Sequence, residues 1–317
     1  MLKTGIYGAD TRIAGELIRL LINHPDVDIR QLYAPAYKGE DASRVHHGLM
    51  GERVLKFTDR FDPTVLDVIF ICRSDDYTES LLAKENELES NEIDNQSRKH
   101  PLRIIEMSGR HTDDYMESAL EYGLSEINRK GLVRGARRGV VPRAESSLTL
   151  ASIYPIAAHL LLSGDIELEF DLPVSYISES DVLKAAEDIR RQLSKIQTSF
   201  RGAVAAKVRE SESKRAMRMR VTLPMTLSQT EIERIYDSIY DDHNFTWVIA
   251  ESPDIKEVEG THKCIVGLIK SDSDDTLTID AVADCRMRGG AGEAVHLMNL
   301  LCGLHERTGL RMKSTAY

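Results

Sequence analysis

The sequence predicts an α/β protein: a parallel-sheet domain covered by helices, followed by a smaller α+β domain. Three observations carry this. Short apolar strands alternate with helical periods in the first half, notably the nearly all-apolar run Leu66-Asp67-Val68-Ile69-Phe70-Ile71-Cys72, and strands of that kind are buried on both faces of a parallel sheet. The later part changes to period-two alternation with an antiparallel hairpin. The 317 residues exceed one ordinary domain of about 150.

In chain order, Leu2 to Gly8 reads as a strand, and Ala14 to Ile22 as a helix that Asn23-His24-Pro25 stops, because proline disfavours helical geometry in the residue before it. Val27 to Tyr33 is a second strand and Leu66 to Cys72 a third. Glu85 to Arg98 carries Glu85, Glu87, Glu89, Glu92 and Asp94 without a core-forming period, which predicts a solvated insertion. Arg103 to Met107 resumes the sheet, and Gly139-Val140-Val141-Pro142 is its last strand. A helix from about Ser147 to Leu162 opens the second domain. There Met217 to Leu223 alternates, and Lys263 to Ile269 pairs with Thr276 to Val282 across Ser271-Asp272-Ser273-Asp274-Asp275 as a hairpin. Helices over Ser180 to Ser199 and Ser228 to Tyr240 flank it. A terminal helix from Gly292 to Leu304 presents an apolar stripe of Ala294, Val295, Met298, Leu301 and Cys302 that needs a docking surface. The expected domains are 1–143, 144–289 and a carboxyl-terminal segment, 290–317, that packs back on the first.

A formal charge of -10 argues against a nucleic-acid or anionic-membrane partner. Apolar content of 42% is that of a folding chain. No apolar run reaches the ~20 residues of a membrane helix, and the amino terminus lacks a signal peptide's apolar stretch, so the expected compartment is the cytoplasm. Cys72, Cys264, Cys285 and Cys302 are widely spaced, which predicts free thiols and no metal. Cys72 reads as a small buried hydrophobe. Cys264 and Cys285 lie on opposite arms of the hairpin, and His46-His47 reads as a solvated loop or cap for want of further ligands.

The amino-terminal strand, turn and helix form the geometry that sets a dinucleotide pyrophosphate on a helix N-terminus. The turn is Gly8-Ala9-Asp10-Thr11-Arg12-Ile13-Ala14-Gly15. Thr11 stands where a close-approach glycine belongs, and Asp10 places a carboxylate toward the phosphates unless Arg12 compensates. The turn reads either as a phosphate cradle or as a β-α turn that has lost its nucleotide.

Three blocks carry a family resemblance: Gly15 to Val27, Tyr122 to Arg129, and Gly290 to Leu300 with Gly303-Leu304 and Thr308-Gly309-Leu310. In order and spacing they resemble N-acetyl-gamma-glutamyl-phosphate reductase, the NADPH-dependent acyl-phosphate reductase of arginine biosynthesis. The resemblance implies a Rossmann-like first domain and a catalytic and dimerisation domain of the aspartate-semialdehyde dehydrogenase superfamily. It also implies NADP as cofactor, a homo-oligomer (dimer or tetramer), and a docking role for His296 in the terminal helix. The family's reaction runs through a cysteine thiolate that attacks the acyl phosphate, followed by hydride transfer to the thioester.

Against that pattern the chain reads as a degenerate member. The family's cysteine follows an Asn-Pro-Gly turn, and the matching segment is Val141-Pro142-Arg143-Ala144-Glu145, so Ala144 occupies the nucleophile position. No cysteine occurs between Cys72 and Cys264, and alanine forms no covalent intermediate. The family's base aligns at Lys184-Ala185-Ala186-Glu187, with no histidine between His159 and His243; Ala185 takes its place. The Gly-rich substrate loop is missing before it. Gly8, Asp10, Thr11, Arg12 and Ala34 mark a degenerate cofactor site, and beyond Ala34 the segment offers Glu40 and Asp41 with Lys38 as the sole cation. Arg73-Ser74-Asp75-Asp76 replaces the family's His-Gly turn.

The basic stretch Arg129, Lys130, Arg134, Arg137, Arg138 and Arg143 reads either as a solvated face or as an anion pocket at the interdomain cleft, with Arg138 and Arg143 as its candidates. Three functions follow as expectations. The first is an inactive homologue with a binding or regulatory role, paired with an active paralogue where one exists. The second is a working NADPH-dependent reductase with relocated catalytic groups. The third is a different enzyme using Glu145, Arg143 and the basic stretch.

Overall fold

The structure, a computed structural model, describes residues 1–90 and 101–314. The chain divides into two compact units: Met1–Pro142 with Gly290–Leu310, and Arg143–Gly289 with the chain from Arg311. The terminal segment expected to belong wholly to the first domain is thus split, and Ser314 Oγ donates to the Lys256 carbonyl at 2.6 Å in the second unit.

The first unit is a seven-stranded sheet of β1 (Leu2–Tyr7), β2 (Val27–Tyr33), β3 (Phe57–Thr58), β4 (Val68–Ile71), β5 (Arg103–Glu106), β6 (Glu121–Tyr122) and β7 (Arg138–Val140). The order is β3-β2-β1-β4-β5-β7-β6, with every pairing parallel. Chain order reverses between β1 and β4, and the crevice beyond the carboxyl ends of such strands is where open α/β sheets bind ligands. Helix α1 (Arg12–Leu21) forms because Thr11 caps it and Ala14, Leu17, Ile18, Leu20 and Leu21 line one buried face.

Helix α2 (Asp76–Ser90) runs into the acidic stretch that was expected as a solvated insertion, from Glu85 to Ser90, and 91–98 lie outside the described residues. The helix begins where Asp75 caps Thr78, and Leu81 and Leu82 are buried, so an apolar anchor near its start overrides the acidic composition further along. Helix α3 (Ser125–Val133), which was not anticipated, is bent at Asn128, whose side-chain amide donates to Glu121 at 2.8 Å.

In the second unit the sheet contains β8 (Ile166–Leu172), β9 (Val204–Glu210), β10 (Ala216–Pro224), β11 (Thr246–Ile249), β12 (Cys264–Ser271) and β13 (Thr276–Asp284). Its order is β11-β12-β13-β10-β8-β9. The hairpin is β12 and β13, with Cys264 opposite Ala283, and all four cysteines are free. Strands β8, β9 and β11 were not anticipated. Helices α4 (Ala144–Ala158), α5 (Glu179–Ile196) and α6 (Gln229–Tyr240) complete this unit, and Ser228 with Glu231 closes a capping box on α6.

Helix α4 begins at Ala144 rather than Ser147, directly after extended Arg143, and it carries Pro155 in its interior. A proline there leaves the carbonyl four residues earlier without its helical donor. Tyr240 of α6 donates its hydroxyl to that carbonyl, Ala151 O, and Tyr236 donates to Ser152 O at 2.6 Å. Tyr240 thereby repairs the break, and Tyr236 adds a second bond beside it.

The last helix, α7 (Ala291–Leu301), rejoins the first unit and packs on α1, α3 and β5. The expected stripe is instead a helix buried on all sides, polar residues included. Two of its polar residues, Asn299 and His296, are answered within the unit. Asn299 Oδ1 lies 3.1 Å from His24 Nε2, and its amide donates to the Glu306 and Thr308 carbonyls at 3.0 and 2.9 Å. His296 Nε2 lies 3.1 Å from Glu306 Oε2, and Glu306 also pairs with Arg129. Among the described residues, no helix is long and apolar enough to cross a membrane.

Candidate active site

Two strand-to-helix turns hold the positions singled out in the sequence. At the first, Gly8 has φ +75, and a Cβ there would lie 2.6 Å from Arg73 Cβ and 3.0 Å from its backbone nitrogen. Glycine is required both by conformation and by this close approach. Thr11 acts as a cap in place of a cradle glycine: its hydroxyl donates to Gly8 O at 2.8 Å and accepts from Ala14 N at 3.3 Å. Gly8 N and Ala9 N both donate to Tyr33 O. Asp10 pairs with Arg73 at 3.1 Å, not with Arg12, which is exposed. The second Asp10 oxygen, Oδ1, is buried without a hydrogen-bond partner.

Of the pair expected as a solvated loop or cap, His47 is exposed and His46 is half-buried just ahead of a short 3-10 turn. His46 Nε2 donates to Ala9 O at 2.7 Å, and Gly15 is open enough to receive the ring. Ala34 is buried and donates to Thr58 O at 3.0 Å, and Lys38 is engaged by Asp59 at 2.7 Å. Neither Arg73 nor His46 carried a local signal, since each reaches the turn from 63 or 37 residues away.

At the second turn, Ala144 is the first residue of α4, and Gly289 (φ +64) packs its backbone against it. A Cβ on Gly289 would lie 2.3 Å from both Ala144 N and Ala144 Cα. Arg143 precedes the helix without capping it through its side chain. Glu145 is only 6% exposed, and Ser146 Oγ and Thr149 Oγ1 are fully buried with no hydrogen-bond partner. Ala185 lies on the buried face of α5 with Val182, Ala186 and Ile189. Burial, reinforced by Glu145 and Asp284, pushes the Cys285 thiol well up; burial likewise raises Cys72 and takes Cys302 up to about 11. None of these three is a thiolate at neutral pH. A signal for the Ser146 hydroxyl was present, a polar Glu-Ser-Ser run at the start of a mainly apolar helix.

Arg138, of the first unit, directs Nη1 to Leu82 O at 3.4 Å and lines a cavity of about 330 Å³ with Arg137 and Glu121, so a carboxylate shares that space; Arg143 belongs to the second unit. Sequence reading missed a polar cluster after β5. Glu106 is fully buried there and accepts from Ser108 N at 2.7 Å, and His111 lies within 3.1 Å of Glu79, Asp114 and Ser118.

Comparison with known proteins matches residues 3–134 to a model described as the NAD binding domain of semialdehyde dehydrogenase and 186–285 to one for its dimerisation domain. The N-acetyl-gamma-glutamyl-phosphate reductase of Parabacteroides distasonis is 30% identical over the whole of both chains, and that of Phocaeicola vulgatus 29%. Among solved structures, aspartate semialdehyde dehydrogenase II of Vibrio cholerae aligns with a TM-score of 0.70 at 13% identity over 96% of this chain and 98% of that one. The Candida albicans aspartate semialdehyde dehydrogenase solved with NADP aligns with a TM-score of 0.64 at 13% identity, over 95% and 98%. By its full-length relatives and both of its domains, the chain belongs to the semialdehyde dehydrogenase family, among the homologues of N-acetyl-gamma-glutamyl-phosphate reductase.

Proposed function

We propose that this chain has kept the family's fold but lost acyl-phosphate reduction, and that it works as a cytoplasmic binding or regulatory protein. The observation that carries the reading is the start of α4, where Ala144, the position matched to the family's nucleophile, meets the Gly289 backbone and offers no reactive atom. Ala185 leaves the base position equally inert. Nucleophile, base and cofactor act as a unit, so loss of two removes nearly all of the rate.

The amino-terminal turn does not fit NADP. The Asp10 carboxylate adjoins the α1 N-terminus, with one oxygen on Arg73 and the other buried and unpartnered, and Lys38, after β2, is bound to Asp59. A pyrophosphate would meet like charge there. The family's dimerisation domain supports a homo-oligomer. Light scattering should find more than the 35.6 kDa monomer, and a monomer at working concentration would remove this part of the reading.

The test of function is phosphate-dependent NADP reduction with N-acetylated glutamate semialdehyde, run on wild type, on Ala144→Cys and on an intact relative. Only the relative should turn over, and calorimetry should find no micromolar NADPH binding to this chain. Wild-type turnover within about 100-fold of a typical ~10 s⁻¹ would overturn the proposal.

A further inference from the structure

Glu121 is the first residue of β6 and Arg138 the first of β7, whereas the Gly8 turn follows the carboxyl end of β1. The cavity of about 330 Å³ beside these two residues therefore lies at the amino-terminal edge of the first unit's sheet, opposite the crevice where open α/β sheets take their ligands. Its volume falls at the small end of small-molecule sites. Among the described residues it is lined by Ala119, Glu121, Gly135, Ala136, Arg137 and Arg138. Three of the six are alanine or glycine, and a Cβ on Gly135 would meet nothing within 4 Å, so the space is left open by small side chains.

The other three carry charge, and the fold anchors each of them. Arg138 is 5% exposed and directs Nη1 to Leu82 O of α2 at 3.4 Å. The Arg137 carbonyl accepts from Ile104 N of β5 at 2.9 Å, which ties its backbone to the sheet. Glu121 Oε2 accepts the Asn128 side-chain amide of α3 at 2.8 Å, one of about four lone-pair positions that a carboxylate offers. Guanidinium groups recognise carboxylates by paired hydrogen bonds, and a carboxylate in turn accepts from an ammonium.

We propose that this cavity binds a free acidic amino acid, whose two carboxylates engage Arg137 and Arg138 and whose ammonium engages Glu121. The lining presents two cationic side chains and one anionic one, and the complementary ligand carries two anionic groups and one cationic group. A dicarboxylate without an amine would set its charge against Glu121 with nothing to offset it. A neutral amino acid would bring one carboxylate to two guanidinium groups. The site stands apart from the α4 turn, so it does not depend on the reading that acyl-phosphate reduction has been lost. It gives the first unit a small-molecule ligand in either case.

The probes are L-glutamate and the shorter L-aspartate, titrated by calorimetry into the wild-type protein at neutral pH and low salt. Three analogues of the better probe each lack one element. For L-glutamate, glutarate has no ammonium, N-acetyl-L-glutamate masks it, and L-glutamine replaces the second carboxylate by an amide. Each should bind at least about tenfold more weakly, the loss that follows removal of one charge-assisted contact. Arg137→Gln should weaken L-glutamate by at least about tenfold, with thermal melts as a folding control. Glu121→Gln keeps a group that accepts from Asn128 but removes the charge, so it should abolish the preference for L-glutamate over glutarate. Several results overturn the proposal: neither acidic amino acid binding at millimolar concentration, glutarate or N-acetyl-L-glutamate binding as tightly as L-glutamate, or a preference for the ammonium that survives in Glu121→Gln. The ligand series needs no variant, so a substituted protein that fails to fold leaves the wild-type comparison to decide.

Discussion

Helix α7 and the first turn of α4 both bury polar side chains, but they satisfy them in opposite ways. In α7, Asn299 makes three hydrogen bonds, and His296 is held by Glu306, which is itself held by Arg129. In α4, two buried hydroxyls, Ser146 Oγ and Thr149 Oγ1, have no hydrogen-bond partner. A closed polar network fixes one arrangement and is costly to open. An unanswered buried group costs stability by being present. The difference teaches that the polar groups of α7 are closed architecture, whereas the start of α4 carries a cost that its own contacts do not offset.

The largest expected effect is at the closed network. Glu306→Ala removes the partner of both His296 and Arg129 and should destabilise the protein by about 3–5 kcal/mol in urea unfolding. Its pH dependence follows from two opposed shifts. Burial alone would lower His296, but Glu293 and Glu306 outweigh it and leave it raised, so its contribution is complete below the ordinary histidine value and is lost as pH rises through the higher folded one. Burial alone would raise Glu306, but His296 and Arg129 hold it down to about 2, so its contribution is complete above the ordinary glutamate value and is lost as pH falls toward about 2. The deficit of Glu306→Ala should therefore be greatest near pH 5–6.5 and shrink on both sides. A deficit that does not vary with pH would mean that the network is packing rather than charge.

An intermediate effect is expected where Gly289 meets Ala144. Gly289→Ala places a Cβ at a positive φ and within 2.3 Å of α4 backbone. Strain and overpacking together should cost about 3 kcal/mol. A loss below about 1 kcal/mol would show that the two segments part easily, and that the turn is less closed than its geometry indicates.

How much of this was legible follows from where the determinants lie along the chain. Helix α1 announces itself through Thr11, its apolar period and Pro25, all within 15 residues. The β12/β13 hairpin is equally local. Strand β9, Val-Ala-Ala-Lys-Val-Arg-Glu, is exposed or half-exposed throughout and sits at a sheet edge, so burial imprints no strong pattern on it; β11 is four residues long. The match of Ala144 and Ala185 to the family's nucleophile and base positions rests on the resemblance alone. The partners at the amino-terminal turn could not be read in the sequence, because Arg73 and His46 are brought to it only by the sheet.

The smallest effect is the most pointed test of the contrast. Ser152, further along α4, donates its hydroxyl to Leu148 O at 2.8 Å, so Ser152→Ala gives up a made hydrogen bond and should cost about 1 kcal/mol. Ser146→Ala and Thr149→Val remove hydroxyls that have no partner among the described residues. Each should be neutral or stabilising by up to about 1 kcal/mol, because an apolar group replaces a buried polar one that made nothing. Chemical denaturation of the three single variants under one set of conditions ranks them directly. If Ser146→Ala costs as much as Ser152→Ala, its hydroxyl is already satisfied and α4 is closed in the same sense as α7. If the two hydroxyl deletions stabilise the protein, the start of α4 carries a cost of buried polar groups that the closed network of α7 does not.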